Sequence, residues 1–136
     1  MEPILSIATS GMLAAATRLQ VSAENVANAQ SDGPLPSADP PTAAQYPSAY
    51  GPKQVNQIAT AGGGTKAVVT NARPATVPAY APTAPYADAN GEVAAPNVDY
   101  VHEALQQATA SYTFAMNAAV ARAYARMMKS LLDIKT

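Results

Sequence analysis

Cysteine is absent from the 136-residue sequence, which excludes disulfide frameworks and thiolate metal sites and leaves the redox compartment open. Tryptophan is absent too, and a single Phe beside seven Tyr leaves little bulky material. Much of the 49% apolar content is alanine, which cannot fill a large core and predicts one elongated unit rather than a compact globule. Eight basic and nine acidic residues nearly cancel, and neither sign forms a long run. That balance gives no electrostatic footprint for nucleic acid or an anionic membrane surface. No segment approaches the roughly 18 uninterrupted apolar residues of a bilayer span, so no direct membrane span is expected. The start, Met1-Glu2-Pro3, is acidic where a secretory signal is basic, and no cleaved signal peptide is expected.

Helical order is concentrated at the two ends. Residues 4–29 read as one helix, with Pro3 suited to its first turn because its missing N–H would be unpaired there anyway. Leu5, Met12, Leu19 and Val26 recur every seventh residue, and Ala8, Ala15, Ser22 and Ala29 follow each by three, an a/d heptad seam that seeks another helix. Gly11 interrupts this helix at a cost of about 1 kcal/mol relative to Ala. It is either a tolerated weak point or a place where a neighbouring helix comes close. Asn25 and Asn28 lie three apart near the helix end; they form either a polar, fraying terminus or buried amides that fix the register of a bundle.

The middle has a different texture. Eleven of the twelve prolines and six of the seven glycines fall between residues 31 and 96, which excludes helix over most of that span. Residues 31–42 read as a turn followed by extended, polyproline-like chain. Residues 54–58, by alternation, and 66–70, by β-branched content, read as strands joined by a Gly62-Gly63-Gly64 turn into a small hairpin, marginal on its own. Asn90-Gly91 signals a tight turn. A second helix is expected over 97–136, capped by Asn97, with Asp99 and Glu103 early and Arg122, Arg126, Lys129 and Lys135 late, matching the helix dipole. Tyr112, Met116, Val120, Ala123, Met127, Leu131 and Ile134 follow a mean step of about 3.67 residues, a nearly straight apolar stripe. The fold class is therefore mainly α: two long terminal helices, a coiled-coil-like pair, bracket an extended Pro/Gly-rich middle with a small β-hairpin. The divisions are 1–30, 31–96 and 97–136.

No catalytic, cofactor or metal site emerges. His102, the only histidine, has Glu103 beside it rather than one turn away, a poor metal spacing. Gly62-Gly63-Gly64-Thr65-Lys66 lacks the spacing of a phosphate loop and leads into strand. Asp32, Asp39, Asp88 and Glu92 sit in turn-like sequence, where Asp bonds its own backbone. The tyrosines at 46, 50, 80 and 86 have no interleaved basic residues and read as packing positions rather than base-stacking ones.

Several segments together resemble a known family. Ser10-Gly11-Met12, Arg18-Leu19-Gln20-Val21 and the run from Ala23 to Ala29 are similar to the N-terminal helix of bacterial flagellar axial proteins. The segment from Tyr86 to Val93, followed by Pro96-Asn97-Val98-Asp99, Ala110-Ser111-Tyr112, Asn117 and the run from Met127 to Leu132, resembles the approach to the C-terminal helix in the basal-body rod members, the proximal rod proteins in particular. Tyr50-Gly51-Pro52-Lys53-Gln54-Val55 is similar to the segment after their first helix, with Gly51 where the family commonly has Arg. The resemblance implies a non-enzymatic structural subunit of the proximal rod, exported by the flagellar type III apparatus without a cleaved signal. It implies helical packing with other rod subunits and hook–basal-body proteins in the periplasm, and transmission of torque. The assembly interface is then expected at Leu5, Met12, Leu19, Asn25, Val26, Asn28, Leu105, Tyr112, Met116, Val120, Met127 and Leu131. The alternative is a small secreted adaptor whose helices close into a hairpin around one ligand or partner.

Overall fold

The computed structural model describes residues 2–36 and 45–133. Two long helices, α1 (Glu2–Ala27) and α2 (Tyr100–Asp133), enclose four short strands in the chain: β1 (Lys53–Ala59), β2 (Thr65–Asn71), β3 (Thr76–Tyr80) and β4 (Glu92–Pro96). Of the described residues, helix accounts for 49% and strand for 20%, so mainly α captures the ends of the chain and understates its middle. The part of the expected extended course that falls on 37–42 and the positions Ile134 and Lys135 lie outside the described residues.

α1 stops earlier than expected because Asn28 turns back on it. Its side-chain amide donates to Glu24 O at 2.9 Å, and Ser31 N then bonds Asn28 O at 3.0 Å, closing the last carbonyls as a C-terminal turn does. α2 starts later than expected, and Asp99 rather than Asn97 caps it: Asp99 Oδ1 accepts from Val101 N (2.9 Å) and His102 N (3.1 Å). Asn97 instead bonds the chain ahead of β3, to Ala75 O and Pro74 O.

α1 and α2 run antiparallel, since Ser22 and Asn25 reach Glu103 while Gly11 faces Asn117. At about 1.5 Å per residue α1 spans about 39 Å and α2 about 51 Å, so the end of α2 projects past the start of α1. The face of α1 turned to α2 is Ala8, Gly11, Ala15, Arg18, Ser22 and Asn25, again a heptad, but one that uses only the small-residue half of the expected seam. Close approach explains the choice. A Cβ on Gly11 would lie 2.6–2.8 Å from the Asn117 amide, so the second reading of Gly11 holds and the approaching helix belongs to the same chain.

The expected hairpin exists, one residue longer at each strand end, with Val55 opposite Val69. Its tip requires glycine because Gly63 and Gly64 have φ of 83° and 87°. Of the other described elements it touches only α1, so α1 lies between α2 and the β1–β2 ribbon. A second hairpin, β3–β4, was not expected, because Pro78 and Pro96 obscure the strand pattern. It tolerates Pro78 because that residue pairs with Ala94, whose N–H and C=O are both spent on Gly33 on the far side. Val93, Ala94, Pro96, Gly33 and Pro34 are all buried there, a small second core. By length and composition alone α1 could cross a membrane, but Arg18, Glu24 and Asn25 interrupt it and two of its faces are covered by α2 and the ribbon.

Candidate assembly surface and the Asn25 junction

The structure is organised around one amide. Asn25, 2% exposed, uses its full hydrogen-bonding capacity. Nδ2 donates to Lys53 O (2.8 Å) and Glu103 Oε1 (2.7 Å), while Oδ1 accepts from Lys53 N (2.9 Å) and the Tyr50 hydroxyl (3.1 Å). Asn25 therefore pairs with the backbone of Lys53 as a strand would, and ties α1 to both β1 and α2. Ser22 Oγ adds a bond to Glu103 O at 3.0 Å. Among the described residues no buried side-chain nitrogen or oxygen lacks a partner, so the interior of the junction is saturated.

A charged rim surrounds it. Lys53 Nζ lies 3.1 Å from Glu24 Oε2, and Gln20 Nε2 donates to the other carboxylate oxygen at 3.0 Å. The Gln20 bond first, then Lys53, hold the Glu24 carboxyl below its ordinary pKa. The bond to Glu24 raises Lys53. Burial raises the Tyr50 phenol.

At its other end the ribbon is fastened to α1 by Ser10, whose Oγ accepts from Thr65 N at 3.1 Å and donates to Ile7 O at 2.7 Å. Ser10 and Gly11 thus serve opposite neighbours: the serine holds the ribbon tip and the glycine admits α2.

The residues expected at an assembly interface fall into two groups. Asn25 is buried in the junction, which decides its open reading in favour of a register-fixing amide, and Asn28 caps α1. The apolar members remain largely outside. Leu5 (47%), Leu19 (41%) and Val26 are exposed along α1 with Met12 half-buried beside them. Leu105, Tyr112 (68%), Met116, Val120, Met127 and Leu131 form an uncovered line along α2. The helices meet through Ala8, Ala15, Ala110 and polar side chains, and leave both large-residue stripes without a partner among the described residues.

Sequence reasoning did not single out Ser22, Tyr50, Lys53 or Glu103 for the junction, nor Ser10 for the ribbon tip. Heptad spacing put Ser22 in the seam, and the Tyr50–Val55 segment was conspicuous only through the family resemblance. Among the described residues there is no cluster of potential metal ligands. His102 is exposed in the first turn of α2, 3.2 Å from Gln106, and the Tyr46 and Tyr86 rings pack on each other at 5.3 Å.

No protein-family model matches the chain. Curated relatives do. The chain is 35% identical over 134 residues to the flagellar basal-body rod protein FlgC of Salmonella typhimurium, covering 96% of this chain and 95% of that one. It is 34% identical over 133 residues to FlgC of Escherichia coli O6:H1, with the same coverage. FlgC of Agrobacterium fabrum is 32% identical over 134 residues, covering 94% of this chain and 90% of the relative.

Proposed function

The chain belongs to the FlgC family of flagellar basal-body rod proteins, and from that premise we propose that it is a non-enzymatic structural subunit of the proximal rod. It is exported through the flagellar type III apparatus without a cleaved signal. In the periplasm it packs helically with other rod subunits and hook–basal-body proteins to transmit torque. In this reading the paired ends, residues 1–30 and 97–136, form the axial core, and residues 31–96 form the Pro/Gly-rich middle between them.

One observation carries the reading: the interior is satisfied by small and polar residues, while the large apolar side chains line two exposed stripes. A half-exposed Leu or Met returns about 1 kcal/mol when a neighbour completes its burial, half of the full transfer value. A stripe of four to six such residues therefore supplies several kcal/mol to assembly and little to the isolated fold. The pairing of α1 with α2 within one chain would also suit a closed helical-hairpin adaptor, but such a protein has no use for uncovered stripes on both helices. Isolation of basal bodies from cells that make an epitope-tagged chain tests the proposal. The chain should remain in the rod fraction after removal of the membrane, and its absence there would refute the assignment.

A further inference from the structure

An open groove of about 460 Å³ runs between the outer edge of β1 and the first turns of α2, floored by α1 from Arg18 to Asn25. Its β wall is a strand edge. Ala72 N bonds Pro52 O, and the N–H and C=O of Lys53 turn away from β2 to the Asn25 side chain. In an antiparallel ladder outward-facing residues alternate, so the N–H and C=O of Val55 and Gln57 also point away from β2. Neither has a backbone partner on that side among the described residues. The other ribbon is closed to strand addition: Pro78 occupies the middle of the β3 edge, and the far edge of β4 is spent on Gly33, Asp88 and Val98.

The charges in the groove are also settled, except one. Glu103 accepts from Asn25, Asp99 from two backbone amides, and Lys53 is paired with Glu24. Arg18, half-buried in the floor, has no hydrogen-bond or ion-pair partner among the described residues. A strand edge facing a helix across a groove is the geometry by which extended peptides are bound through main-chain hydrogen bonds, with pockets reading alternate side chains. We infer that this groove receives an extended segment of a neighbouring subunit, added as a third strand at Val55 and Gln57, with an acidic side chain of that segment bonded to Arg18. Asn25 occupies the edge at Lys53 and terminates the added strand there. The neighbour's being a rod subunit rests on the proposed function.

Residue-resolved quenched hydrogen exchange on the full chain, free and within purified basal bodies, tests this. The Val55 and Gln57 amides should exchange at least about tenfold more slowly in the basal body, while Ala67 and Val69, on the opposite edge of the ribbon, should be unchanged. Unchanged exchange at Val55 and Gln57 in a chain that is present in basal bodies would overturn the strand addition and leave the rod assignment standing. Absence of the wild-type chain from basal bodies would overturn both. As a second measurement, Gln57→Pro removes only an outward N–H and keeps the β1–β2 ladder, so the variant should fold and yet enter basal bodies at least about tenfold less. Arg18→Gln should weaken incorporation in the same direction. Normal incorporation of both variants would refute the inference.

Discussion

Replacing Asn25 by Ala removes four hydrogen bonds from three segments at once. Glu103 loses a donor in a buried position, where an unsatisfied group costs about 1–3 kcal/mol. The backbone N–H and C=O of Lys53 and the Tyr50 hydroxyl are part-exposed, so water replaces the amide and only the net value of each bond, about 0.5–1.5 kcal/mol, is at stake. The expected loss is about 2.5–7.5 kcal/mol against a typical domain stability of about 5–15 kcal/mol. Urea denaturation followed by far-ultraviolet circular dichroism measures it. Asn25→Asp sharpens the test by keeping the oxygen that faces Lys53 N and Tyr50 while placing a second carboxylate oxygen against Glu103. The two carboxylates repel when both are ionised, so the destabilisation should be smallest in acid and grow as pH rises above the ordinary carboxylate range. A loss below about 1 kcal/mol for Asn25→Ala, or a pH-independent Asn25→Asp, would refute the claim that one amide joins α1, β1 and α2.

Gly11→Ala gains about 1 kcal/mol of helix propensity but drives a Cβ into the Asn117 amide. It should be destabilising by thermal melt, and Asn117→Ala in the same chain should restore stability above that of the single variant. Gly64→Ala puts a Cβ onto Ser10 Oγ at a residue with φ of 87°, so the Thr65 amide should lose its protection from exchange while helicity is kept. The lowered Glu24 contributes stability above the ordinary carboxylate pKa, lost as pH falls through its folded value. The raised Lys53 contributes below the ordinary lysine pKa, lost as pH rises through its own folded value. Stability should therefore show a plateau between those limits. Because both groups are solvent-accessible, added salt should flatten it, and Glu24→Gln cells should swim.

Period and punctuation made the ends of the chain and the first hairpin legible: seven-residue spacing marked α1, and three glycines marked the β1–β2 turn. What the spacing did not reveal was which half of the α1 seam α2 would choose. That depends on how near the helices can come, and Gly11, Ala15 and Ser22 allow an approach that Leu5 and Leu19 would forbid. The β3–β4 ribbon was hidden because Pro78 reads as a strand breaker until its pairing with Ala94 shows that its missing N–H faces an unpaired edge. Asn25 was legible as a candidate but its partners were not, since Lys53 and Glu103 stand 28 and 78 residues away and no local pattern joins them. The N-cap was misplaced by two residues because Asn97 and Asp99 are both good caps, and the bonds from Asn97 to Pro74 and Ala75 leave the role to Asp99.

The claim that the outer stripes are reserved for assembly is tested most directly by the amount of Leu19→Asp chain in purified basal bodies relative to wild type. Leu19 is 41% exposed in the subunit, so a carboxylate there stays hydrated and the variant should be soluble, exported and close to wild type in melting temperature. Once a neighbour covers the stripe, an unpaired carboxylate costs several kcal/mol. The variant, and Met127→Asp on α2 likewise, should therefore be missing from the rod and leave cells non-motile. Wild-type amounts of both variants in the basal body would contradict the account.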